Sequence, residues 1–114
     1  MHKENSSDAL NRRFLFKKCE LNTALNIISG RWKAQIIHSI HNGHNRFHLL
    51  QKELTNISEP VLGRQLKEIE TQGIIIKKEI PETTPTGIEY LLTGKGERLI
   101  PILDNLCNWI KENP

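Results

Sequence analysis

A mainly α-helical domain carrying one small antiparallel β-hairpin is the fold this sequence predicts, and three observations predict it. From residue 21 to residue 69 the apolar side chains recur at intervals of three and four, the spacing of a helix with one buried face. At Gly73 the period changes to an extended one: Ile74 to Ile80 is rich in β-branched residues, and Ile88, Tyr90 and Leu92 alternate with Glu89 and Leu91. Beyond Thr93 the helical period returns and runs almost to the end. At 114 residues, 37% hydrophobic and 25% charged, residues 1–114 read as a single domain with one modest core.

The elements follow in order. Met1 to Ser7 is polar and reads as an arm; Asp8 is placed to cap a helix with Leu10, Phe14 and Leu15 that ends at Lys18. Leu21, Ala24, Leu25 and Ile28 give a core helix closed by Gly30, and Trp32, Ile36, Ile37 and Ile40 give a second one closed by Asn42-Gly43. His44 to Phe47 reads as a short edge strand. Phe47, Leu50 and Leu54 mark a brief helix stopping near Thr55-Asn56. Ser58 then stands as the N-cap of a new helix: its hydroxyl accepts a first-turn N–H, Glu59 adds negative charge at the positive end, and Pro60 lacks a donor that this turn does not use. Val61, Leu62, Leu66 and Ile69 form its buried stripe, Arg64, Gln65, Lys67 and Thr71 its polar side, and Gly73 its stop. The polar, proline-rich stretch Pro81 to Gly87 is the hairpin loop. Leu99, Leu103, Leu106 and Ile110, flanked by Ile102 and Trp109, make a 4-3-4 stripe on a last helix over residues 93–112, which Pro101 should bend. So apolar a terminal helix needs its own core, a second subunit, or both.

A short helix, a turn and a capped second helix is the layout of a helix-turn-helix, whose second helix enters the DNA major groove, and the hairpin follows it as a wing. Arg64 and Gln65 are the candidate base readers, because arginine matches guanine O6/N7 and glutamine adenine N6/N7; Lys67 is a candidate phosphate contact. The alternative for each is pairing with Glu68 or Glu70. Gly63 costs about 1 kcal/mol relative to alanine in a helix interior, which points to close approach at that position or to an ordinary surface glycine. Arg46, Lys33 and Arg31 are candidates for positioning the nucleic-acid backbone, with internal pairs as the alternative. Trp32 and Trp109 read as core.

Charge alone decides little. The chain carries 16 Lys/Arg and 13 Asp/Glu for a net charge of +3, and the surplus lies in residues 1–58, not in the helix that follows Ser58. Two cysteines without metal-type spacing suit a reducing cytoplasm, and no apolar run is long enough to cross a membrane or form a signal peptide. His38, His41, His44 and His48 invite a metal-responsive reading, although exposed turn histidines explain them too and no carboxylate or cysteine lies near them in sequence. No nucleophile elbow, glycine-rich phosphate loop or paired carboxylates suggest an enzyme, and no cofactor is expected.

Cys19, Gly30-Arg31-Trp32-Lys33, Gly43, Arg46-Phe47, Ile57-Ser58, Leu62, Leu66, Gly73, Glu89-Tyr90, Leu92-Thr93, Gly96 and Trp109 follow one another in an order and spacing that resembles the HxlR-type transcriptional regulators, winged-helix proteins related to the MarR regulators. The resemblance covers nearly everything after Lys18. It implies a homodimer joined by its terminal helices on a roughly palindromic operator, the helix after Ser58 in the major groove and the wing along the adjacent backbone or minor groove. On the wing, Lys77, Lys78 and the backbone of Thr84 to Gly87 are the candidates for phosphate contact. It also implies that Cys19 can serve as an oxidant or electrophile sensor, a plain buried cysteine being the alternative there and at Cys107; Lys17 and Lys18 favour its thiolate. Departures are Glu20 in place of proline, Pro60 in place of a polar or basic residue, and Gly87 in place of a basic wing residue. The runner-up to DNA binding is a winged helix used for contact with protein.

Overall fold

The computed structural model describes residues 19–114, so the arm at residues 1–7 and the helix expected from Asp8 to Lys18 lie outside the described residues. Helix α1 covers residues 19–28, and α2 (Lys33–His41), α3 (Phe47–Glu53) and α4 (Glu59–Thr71) follow. Strands β1 (Ile75–Ile80) and β2 (Gly87–Leu92) pair antiparallel, with Ile75 opposite Leu92 and Ile80 opposite Gly87, and α5 (Gly94–Glu112) ends the fold. The result is a winged helix-turn-helix.

In α2, α3 and α4 the core is assembled where the sequence periodicity predicts it. Ile36, Ile37 and Ile40 of α2, Leu50 of α3, Leu62, Leu66 and Ile69 of α4, Ile74 and Ile75 at the head of the hairpin, and Ile100 and Leu103 of α5 are all buried. Each such side chain removed from water contributes about 1.5–3 kcal/mol to stability before the cost of ordering the chain. Leu54 and Ile57, also buried, pin the turn between α3 and α4 from inside, and Asn56 turns the chain at φ 76° between them.

The end of α4 and the start of α5 are locked to one another. Gly73 adopts φ +77°, donates its N–H to the carbonyl of Glu70 at 2.9 Å, and lets Ile74 donate to Ile69 at 3.1 Å, the paired bonds of a Schellman stop. Thr93 caps α5 by accepting from the Gly96 N–H at 3.1 Å while its hydroxyl reaches the Gly73 carbonyl at 2.6 Å. Gly96 packs so closely that a Cβ there would collide with the Ile74 carbonyl oxygen.

Five expectations are corrected. His44 to Phe47 forms no strand: α3 already starts at Phe47, which leaves room only for one bond, from the Tyr90 N–H to the Asn45 carbonyl at 2.8 Å. Trp109 is 60% exposed rather than core. The α5 stripe that reaches the core is Gly96, Ile100 and Leu103, and among the described residues none beyond Leu103 is buried. In α1, Leu21 and Leu25 are exposed as well; only Ile27 and Ile28, near its end, pack against the core. Cys19 falls within helical backbone instead of ahead of it.

Candidate nucleic-acid interface

Helix α4 presents one uninterrupted outer face. Ser58 caps it as the sequence predicts, its Oγ accepting the Val61 N–H at 3.3 Å, with Glu59 in the first turn and Pro60 beside it. With Leu62, Leu66 and Ile69 turned inward, Pro60, Gly63, Arg64, Lys67 and Thr71 are exposed, and Gln65 is half-buried at the edge of that face. Arg64, Lys67 and Thr71 share a shallow concavity with Glu68 and Gln72. A Cβ at Gly63 would meet nothing within 4 Å, so no neighbour in the chain requires glycine there, and the backbone of this turn stands open.

Two of the three α4 carboxylates, Glu68 and Glu70, are engaged by lysines outside the helix. Lys33 Nζ lies 3.0 Å from Glu68 Oε2, and Lys77 Nζ lies 3.9 Å from Glu70 Oε1. Among the described residues Arg64 and Lys67 enter no ion pair. Lys33 is the converse case. Its ammonium also donates to the Asn26 carbonyl at 3.1 Å and only 12% of its side chain is exposed, so it is a structural tie and not a group facing outward. Arg31 lies over the Trp32 ring, 4.7 Å from its centroid.

On the hairpin, Lys77 and Lys78 are exposed, Lys78 without an ion pair among the described residues. Arg46, at the N-cap of α3, is half-buried and directs its guanidinium to Gly87 at the head of β2, a convergence that sequence spacing gives no means of finding. Inside the hairpin, Tyr90 is buried; desolvation, and secondly the charge of Glu70, raise its pKa above the usual 10.0.

The four histidines do not converge. His38 faces Asp104 at 3.3 Å, His41 faces Glu97 at 3.7 Å and His44 faces Glu53 at 3.4 Å, so three of them meet carboxylates in separate pairs, and Asp104 and Glu97 are distant in sequence. Among the described residues no three His, Cys, Asp or Glu side chains gather as a metal site would need. Cys19 and Cys107 are both free and exposed. Cys107 lines an open groove with Ile28, Ala34, His38, Leu103 and Leu106. No helix among the described residues is long and apolar enough to cross a membrane.

A capped helix with a free cationic face, set behind a shorter helix and followed by a hairpin, defines a DNA-binding helix-turn-helix of the winged class. Residues 27–114 match the HxlR-like helix-turn-helix family, and the chain belongs to it. It is 44% identical over 89 residues to YvaP, an HTH-type transcriptional regulator of Bacillus subtilis (strain 168), covering 78% of this chain and 82% of that one. Among solved structures, the reduced transcriptional regulator YodB from B. subtilis is similar at a TM-score of 0.75 and 30% identity, over 82% of this chain and 91% of that one. The redox regulator HypR in its reduced form is similar at a TM-score of 0.75 and 29% identity, over 82% and 92%. The chain is thus a transcriptional regulator with a helix-turn-helix fold, in a family of regulators rather than of enzymes.

Proposed function

We propose that the chain acts in the cytoplasm as a homodimer on a roughly palindromic operator, with α4 in the major groove. The observation that carries this reading is the unpaired state of Arg64 and Lys67 on the open face of α4, with Glu68 and Glu70 engaged by Lys33 and Lys77. Arg64 and Gln65 read base edges, Lys67 meets phosphate, and the open turn at Gly63 behind the Ser58 cap lets the backbone approach the duplex. Arg46, Lys77 and Lys78 hold the flanking phosphates. Residues 1–114 act as one domain in which 93–112 form the dimerisation helix, because Ile102, Leu106, Trp109 and Ile110 of α5 are exposed, as are Leu21 and Leu25 of α1. A mobility-shift assay with the DNA upstream of the chain's own gene tests the reading. A shifted band that competitor random DNA does not remove is expected; equal competition by random and specific DNA would overturn sequence-specific binding and favour a protein-contact role.

Thiol chemistry is the input we propose. Cys19 and Cys107 are exposed and free, and the likeness to the redox regulator HypR supports the reading. Cys19 of one subunit and Cys107 of the other bridge on oxidation, which requires Cα atoms about 4.4–6.8 Å apart. Fixing the subunits in one spacing then moves the two α4 helices away from the roughly 34 Å that successive major grooves demand. Non-reducing electrophoresis after mild peroxide should show a covalent dimer that vanishes in both Cys19→Ser and Cys107→Ser. Unchanged DNA binding and no covalent dimer would overturn the bridge; a response lost in Cys19→Ser alone would assign it to that thiol.

A further inference from the structure

The Arg46 guanidinium occupies the space that a side chain at residue 87 would fill. A Cβ built on Gly87 would stand 2.6 Å from an Arg46 Nη and 3.3 Å from its Cζ, closer than a real Cβ tolerates. Both backbones that meet here are fixed. The Gly87 N–H donates to Thr83 Oγ1 at 2.6 Å, and that hydroxyl donates to the Ile80 carbonyl at 2.8 Å, which ties the wing loop to both strand ends. On the other side, the Asn45 carbonyl accepts the Tyr90 N–H at 2.8 Å, the Asn45 amide donates to Glu89 at 3.2 Å, and the Arg46 carbonyl accepts the Leu50 N–H at 2.9 Å as α3 begins. Glu89, the strand carboxylate near the start of α3, is therefore already engaged by Asn45. Arg46 itself is half-buried and among the described residues enters no ion pair. A guanidinium that is partly desolvated and unpaired, set between two fixed stretches of backbone, is open to an anion, and its planar fork suits a phosphate diester.

We infer that Gly87 is a positioning residue for Arg46: the missing side chain at the head of β2 seats the guanidinium against the wing, so that Arg46 and Gly87 form one phosphate-contacting device joining the helix-turn-helix to the hairpin. The inference rests on the DNA-binding reading above and adds to it the residue that aims the contact. A purely structural latch between α3 and β2 is the competing role, since an arginine can stabilise by packing alone. Gly87→Ala separates the two roles. Gly87 has no left-handed backbone to lose, and the atoms its new methyl would strike belong to the ends of the Arg46 and Thr83 side chains, which can shift.

The test is binding of the full-length chain to its upstream DNA and to a random duplex by fluorescence anisotropy across a salt series, with thermal melting alongside. Wild type, Gly87→Ala, Arg46→Ala and the double variant are compared. Each single change is expected to weaken binding to both duplexes by a similar factor and to lower the slope of log affinity against log salt by about one. The double variant should lose no more than Arg46→Ala alone, because both remove the same contact. Gly87→Ala binding like wild type, additive losses in the double variant, or an effect confined to the melting temperature would overturn the inference while leaving DNA binding in place. Wild type failing to bind either duplex would instead overturn the DNA-binding reading, and the inference with it.

Discussion

Lys33 Nζ lies between Glu68 Oε2, at 3.0 Å, and the Asn26 carbonyl, at 3.1 Å, so one ammonium joins the end of α1, the start of α2 and the inner flank of α4. The pair ties α4 to α1 and α2 and partly neutralises the Glu68 charge beside Lys67 and Arg64. Removing the ammonium leaves a carboxylate unpaired and takes from the Asn26 carbonyl the shorter of its two side-chain donors. Lys33→Ala should therefore destabilise the chain by about 1–2 kcal/mol, read from chemical denaturation. Glu68→Gln should cost less, because Glu68 is the more exposed partner, at 45% against 12%. No loss in Lys33→Ala would mean that the tie is cosmetic.

Arg64→Ala should weaken operator binding by about 1–3 kcal/mol and random-duplex binding far less, as expected for a base contact. Lys67→Ala should weaken both alike and reduce the salt slope. Parallel titrations of the two duplexes distinguish these outcomes; equal losses for Arg64→Ala would reassign it to phosphate.

Gly96→Ala should destabilise by about 1–3 kcal/mol, since its methyl meets backbone, the Ile74 carbonyl oxygen, and not a side chain that can swing aside. Thermal melting measures it. Gly63→Ala makes the opposite case: nothing lies within 4 Å, so the melting temperature should rise slightly through helix propensity while DNA affinity falls, if the duplex approaches there.

The first half of α5 belongs to the core of the subunit and its second half is free for a partner. Truncating the chain after Thr93 would remove Ile100 and Leu103, which are buried in the subunit itself, and would confuse unfolding with dissociation. Leu106→Lys and Trp109→Lys change side chains 47% and 60% exposed. Each should yield a folded monomer by sedimentation equilibrium, with operator affinity reduced as the second half-site is lost; an intact dimer in both would place the interface elsewhere.

Tyr90, the one tyrosine of the chain, gives a pH prediction. Its folded pKa is raised above 10.0 by burial and by Glu70. Below that pH both states keep the phenol proton and its contribution is intact; above it the unfolded chain releases the proton first, so stability falls as pH rises towards the folded value. Tyr90→Phe should lack that part of the alkaline loss. Ultraviolet titration of the phenol in the folded chain, beginning at ordinary pH, would contradict it.

Local chemistry was sufficient for the helix-turn-helix and the wing. The Ser58 cap, the spacing of Leu62, Leu66 and Ile69, the Gly73 stop and the alternation through Tyr90 each depend on neighbours within about one turn or one strand pair, so the sequence alone determined where α4 and the hairpin begin and end. The side on which Arg64 and Lys67 face was legible for the same reason. Whether they were free was not, because their competitors Glu68 and Glu70 are drawn off by Lys33, 35 residues earlier in one case, and by Lys77 across the end of the helix in the other. The same limit misplaced Trp109 and Leu25. An apolar residue at helical spacing reads as core wherever it stands, yet a helix buries only the length that other elements cover, and α1 and α5 extend past it. Only the tertiary structure decided that Lys33 is a tie, that His38 and His41 each pair with a distant carboxylate, and that Arg46 fills the place left empty at Gly87, since each of these is a distance between side chains that the order of residues leaves free.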